Sequence, residues 1–82
     1  DRTEDLRLEE VVIPAESSFV GKTLREAPIR AETNLLVVAL RVEGKFVYNP
    51  EPSTELDVGS VLVVIGPQEN VARLRDLVKR MT

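Results

Sequence analysis

The chain of 82 residues contains no cysteine, no histidine and no tryptophan. Those absences remove disulfides, thiol nucleophiles, imidazole acid–base chemistry and every metal site built from His or Cys ligands. Aromatic residues make up 4% of the sequence, as Phe19, Phe46 and Tyr48, too few for a platform on which nucleic-acid bases stack. Positive charge is not in excess: 11 Lys and Arg stand against 14 Asp and Glu, a net charge of −3, which disfavours a phosphate backbone as the main partner. No apolar run approaches the roughly 18 residues of a membrane span. The opening Asp1-Arg2-Thr3-Glu4-Asp5 is not a signal peptide and reads as a polar linker over residues 1–5. With no initiating Met, the sequence is expected to be a piece of a longer, cytosolic chain. A domain this small buries only about 60% of its unfolded surface, so an enclosed active site is not expected, and what remains is binding.

What is present is a patterned alternation of β-formers and turn residues. Leu6 to Ile13 reads as a strand stopped by Pro14, which donates no ladder hydrogen bond. Ala15 to Phe19 follows as a loop. Thr23-Leu24-Arg25-Glu26 fits a capping box for a short helix, which Pro28 interrupts and which resumes for one turn over Ile29–Thr33, with Asn34 as a left-handed terminator. Leu35 to Val42 is a nearly unbroken apolar run, the pattern of a strand covered on both faces, and Glu43-Gly44 turns it into a hairpin with Lys45–Tyr48. Two prolines stiffen the loop at residues 49–54. A second buried strand, Val61–Ile65, leads through Gly66-Pro67 into an amphipathic helix whose Val71, Leu74, Leu77, Val78 and Met81 recur at helical spacing. The expectation is an α+β fold: a four-stranded sheet in β-α-β-β-β-α order with a short capped helix and a C-terminal amphipathic helix. One amphipathic helix covers one face of such a sheet, so a homodimer is expected.

Few motifs carry chemistry. Gly21-Lys22-Thr23 has the ending of a phosphate-binding loop, but the glycine required five positions earlier is Glu16, so the segment is read as a helix start. Glu9 and Glu10 are adjacent in a strand and point to opposite faces, so they do not chelate one ion together. The acids Glu51, Glu55 and Asp57 lack regular ligand spacing and read as solvated charge. Arg25 and Arg30 flank Pro28 beside Ile29. Guanidinium groups next to apolar side chains suit an anion or a nucleotide phosphate, and equally an ion pair with Glu26 or Glu32.

Taken in order, Val12-Ile13-Pro14, Phe19-Val20-Gly21-Lys22-Thr23-Leu24-Arg25-Glu26, Leu36-Val37-Val38-Ala39-Leu40-Arg41, Asn49-Pro50 with Pro52 and Thr54, and Leu56 through Gly66 resemble the TrkA-C family. This is the C-terminal subdomain of RCK (regulator of K⁺ conductance) modules, and the resemblance runs from about Leu6 to Leu77, with the domain taken as residues 6–82. It implies a non-enzymatic regulatory domain at the cytoplasmic face of the plasma membrane. Its implied partners are a second copy, an upstream Rossmann-like RCK subdomain and a membrane-embedded potassium channel or uptake system, with no nucleic acid. A cation/proton antiporter as the parent, a ligand-free dimerisation module and an effector domain of an enzyme are the alternatives. Some members bind cyclic di-AMP across the dimer axis through an Arg and an Asn, and others sense a divalent cation. Arg30 matches that Arg, and Leu36, which cannot hydrogen-bond a phosphate, stands where the Asn falls. The ligand pocket this implies lies at the dimer interface and is built from Ile29, Arg30, Leu36 and Val38.

Overall fold

The computed structural model describes residues 5–81; the polar linker read over residues 1–5 therefore lies outside the described residues except for Asp5. The elements are β1 (Leu6–Val12), α1 (Ile29–Thr33), β2 (Leu36–Val42), β3 (Lys45–Tyr48), β4 (Val61–Pro67) and α2 (Gln68–Val78). All pairings are antiparallel, and the strands lie in the order β1-β4-β2-β3. The α+β architecture and element order expected from the pattern are those observed.

Both helices sit on one face of the sheet, with α2 against β4 and β1 and α1 against α2. Side chains alternate across a strand, so β1 sends Val11, β4 sends Leu62 and Val64, and β2 sends Leu40 into the core beneath Val71, Leu74 and Val78 of α2. Ile13, Phe19, Leu35 and Leu56 complete it from the connecting segments. Among the described residues, no helix is long and apolar enough to cross a membrane.

Four local expectations shift. The capping box forms, with the Thr23 N–H donating to Glu26 Oε1 at 2.9 Å and the Glu26 N–H to Thr23 Oγ1 at 3.2 Å. It closes one isolated turn, however, because Pro28 disfavours helical geometry at Ala27, and α1 itself begins after Pro28 with no side-chain cap. β4 runs two residues further than expected: Pro67 is its last residue, extended at φ −64° and ψ 150°, and precedes the helix rather than opening it. α2 ends at Val78, and Met81 lies beyond it, exposed. Finally, β4 rather than β2 is the more fully buried strand, from Val61 through Val64; β2 is internal too, yet it begins with an exposed Leu36 and is half-buried over most of its length.

Among the described residues, the sheet face away from the helices carries no covering layer. Glu9 and Glu10 point to opposite faces as their adjacency requires. Glu9 pairs with Arg75 of α2 at 3.5 Å, and Glu10 receives a two-pronged ion pair from Arg41 at 3.2 Å on the open face.

Candidate functional site

The candidate site forms where the segment read as a capped helix start and the proline-rich loop are laced together. The Gly21 N–H donates to the Leu56 carbonyl, the Leu56 N–H to Lys22, the Leu24 N–H to Thr54 and the Arg25 N–H to Pro52, each at 2.8–2.9 Å. Thr23 and Glu55 form a β-bridge in the middle of this lacing. Backbone groups of a loop need partners when they leave water, and this ladder supplies them while fixing Leu24 and Arg25 against Pro50 and Pro52.

The floor comes from α1 and the start of β2. Asn34, at φ 57°, ends α1 with its N–H on the Arg30 carbonyl at 2.9 Å. The Thr33 hydroxyl donates to the Ile29 carbonyl at 2.6 Å and accepts the Leu35 N–H, so the helix-to-strand corner is held by one buried side chain. The result is a cavity of about 190 Å³ lined by Leu24, Arg25, Ile29, Arg30, Leu36 and Val37, with Leu35, Pro50 and Pro52 closing it. Arg25 and Arg30 are both exposed at its rim, and no ion pair of either with Glu26 or Glu32 is present among the described residues. The Glu26 carboxylate is instead occupied by the Thr23 N–H. Two exposed guanidinium groups with no carboxylate partner among the described residues thus stand over apolar walls.

Of the four residues expected to build the pocket, Ile29, Arg30 and Leu36 are brought together, and Val38 is not among the lining residues. Strict alternation puts Leu36 and Val38 on one side of β2. The pairing with β4 shifts register between Val37 and Ala39, leaving Val38 as an extra residue, and its carbonyl accepts the Asn49 N–H at 2.8 Å. A bulge of this kind re-aims the side chains next to it, and Val37 takes the place at the cavity. Leu24, Pro50 and Pro52 went unread as lining residues because they arrive through the loop ladder, which no periodicity announces. Among the described residues, no group of three or more acidic, His or Cys side chains is placed to hold a metal.

The TrkA-C domain model matches residues 8–79. The chain belongs to the TrkA-C domain family. A probable potassium channel protein 2 of Methanocaldococcus jannaschii is 36% identical over 77 residues, which are 94% of this chain and 22% of the channel. This TrkA-C chain thus spans about a fifth of the length of the curated relative it matches. Its fold is that of the RCK_C domain dimer of S. agalactiae BusR in complex with c-di-AMP, at a TM-score of 0.81 and 25% identity over 87% of this chain and 93% of that one. BusR is also seen in complex with its busAB-promotor DNA, where this chain covers 35% of the longer chain. The GsuK channel matches at a TM-score of 0.80 and 28% identity over 95% of this chain and 14% of that one. The TrkA-C domain is a regulatory domain of potassium-transport proteins.

Proposed function

We propose that this chain is the ligand-sensing, dimerising domain of a potassium channel or uptake system and works at the cytoplasmic face of the membrane. In this reading it takes an anionic nucleotide at the Arg25/Arg30 cavity and shares it between two copies. The observation that carries the reading is the cavity itself, with two guanidinium groups that face no carboxylate partner among the described residues, over walls of Leu24, Ile29, Leu36 and the two prolines. Its volume of about 190 Å³ falls below the roughly 300–1,000 Å³ of pockets that enclose a drug-sized ligand. One copy therefore supplies half a site, and a ligand with two equivalent phosphates suits two such halves. Cyclic di-AMP, the ligand of the BusR domain, has that symmetry.

Leu36 sets a limit on how it is gripped. Its exposed aliphatic chain offers a surface for an adenine and no hydrogen bond to a phosphate, so phosphate binding falls to Arg30 and Arg25. A ligand that touches both copies stabilises one mutual arrangement by its differential affinity, and the attached parts of the parent read that arrangement out. Coupling of about 1–3 kcal/mol is the usual scale.

The reading is tested by titration calorimetry of the chain with cyclic di-AMP. Arg30 is exposed, so Arg30→Ala leaves thermal stability within about 0.5 kcal/mol. The lost charge-assisted hydrogen bonding, worth about 1.5–3 kcal/mol, weakens binding by roughly ten- to a hundredfold. Unchanged affinity in Arg30→Ala removes this residue from the site, and no heat of binding in the unaltered chain removes the ligand.

A further inference from the structure

The β2–β3 hairpin hangs between two asparagines in the left-handed region, Asn34 at φ 57° before β2 and Asn49 at φ 50° after β3. Asn34 has an evident task as the end of α1. Asn49 ends no helix, and its side chain is exposed. Its conformation is also costly. A residue other than glycine rarely takes positive φ, and the residue before a proline is pushed toward extended backbone, yet Asn49 stands directly before Pro50. Residues held in such sparsely populated conformations cluster at ligand clamps and switch regions.

One hydrogen bond shows what this conformation holds together. The Asn49 N–H donates to the Val38 carbonyl at 2.8 Å, and Val38 is the residue that the register shift leaves without a partner on β4. The bulge turns Val37 to the cavity, and the left-handed corner starts the wall of Pro50 and Pro52; all three line the cavity. Beyond the corner the loop has little freedom of its own. Pro50 and Pro52 have fixed φ, Glu51 is restricted as the residue before a proline, and the Glu51 carbonyl accepts the Thr54 N–H at 2.9 Å. The direction in which the chain leaves β3 therefore decides where both prolines lie, and whether the Pro52 carbonyl meets the Arg25 N–H at 2.9 Å.

We infer that Asn49 is a positioning residue for the anion cavity: its left-handed backbone, and not its side chain, joins the Val38 bulge to the proline loop and so sets the apolar wall of Val37, Pro50 and Pro52 beside Arg25. The inference rests on the ligand reading above and adds to it a residue outside the cavity lining, which acts through its neighbours. What the corner requires is a residue type that accepts positive φ. Glycine meets that requirement with no side chain at all, alanine meets it poorly, and β-branched valine resists it most. All three keep the N–H that the Val38 carbonyl accepts, so a comparison among them separates the backbone conformation from both the hydrogen-bond donor and the asparagine side chain.

The test is titration calorimetry of cyclic di-AMP with the unaltered chain, Asn49→Gly, Asn49→Ala and Asn49→Val, at a temperature where thermal melting shows each of them folded. Asn49→Gly should bind within about threefold of the parent, and Asn49→Val at least about tenfold more weakly, with Asn49→Ala between them. If Asn49→Val does not fold, Asn49→Ala against Asn49→Gly carries the same contrast. Amide NMR spectra without ligand give a second readout: Asn49→Val should move the signals of Val37 and Arg25, which Asn49→Gly leaves near their parent positions. Asn49→Val that binds as the parent does, Asn49→Gly weakened as far as Asn49→Val, or Val37 and Arg25 signals unmoved in Asn49→Val each overturn the positioning role while leaving the ligand reading intact. No heat of binding in the unaltered chain overturns both.

Discussion

At the scale of single residues, the backbone decides more than the side chains. Glu43 and Gly44 sit at φ 51° and 80° in the β2–β3 turn, the pair of left-handed positions of a type I′ turn. Glutamate is a poor occupant of the first, so Glu43→Asn should raise stability by about 0.5–1 kcal/mol, read as a higher denaturation midpoint with an unchanged slope. Gly66 is needed for a different reason: a Cβ there would run into the Leu35 side chain, which is fully buried. Gly66→Ala should therefore cost about 1–3 kcal/mol through overpacking, and a midpoint equal to the parent's would contradict that packing. Asn34 as a left-handed terminator was legible because so few residue types accept positive φ. The bulge at Val38 was not legible, since three consecutive β-branched or small apolar residues, Val37 to Ala39, give no mark of which one is unpaired.

At the scale of elements, hydrophobic spacing located β1, β2, β4 and α2, and turn chemistry located the hairpin. What it could not weigh was competition between signals. The capping box at Thr23–Glu26 is real, yet the proline that follows turns its helix into a single closed turn. That turn anchors the ladder to residues 52–56 and so one wall of the cavity. Thr23→Ala should cost about 0.5–2 kcal/mol and weaken ligand binding as well, because Leu24 and Arg25 lose their fixed position; a stability loss with unchanged affinity would separate the turn from the site. α2 is held by tertiary burial, so Leu74→Ala, at a position with no exposure, should cost about 2–5 kcal/mol in denaturant unfolding. Of the site, α1 and the first residue of β2 were readable from the Arg–Pro–Ile–Arg neighbourhood and the family resemblance. The proline wall came only with the loop pairing, which is a long-range contact between segments lacking any period.

At the scale of the whole molecule, one sheet face is covered by helices and the other is not. The run Leu35–Val42 announced a strand needing cover on both sides, and the single copy provides it on one. On the reading proposed above, the half-sized cavity with Leu36 at its rim belongs to a domain whose association and ligand binding are linked. Linkage makes the two effects reciprocal, so a ligand that needs two copies must tighten their association as much as association tightens its binding. The decisive measurement is the dimer dissociation constant, by sedimentation velocity, with and without saturating cyclic di-AMP, together with the binding stoichiometry. The account predicts one ligand per two chains and a dimer at least about tenfold tighter with ligand; one ligand per chain, or association that ligand leaves unchanged, would contradict it.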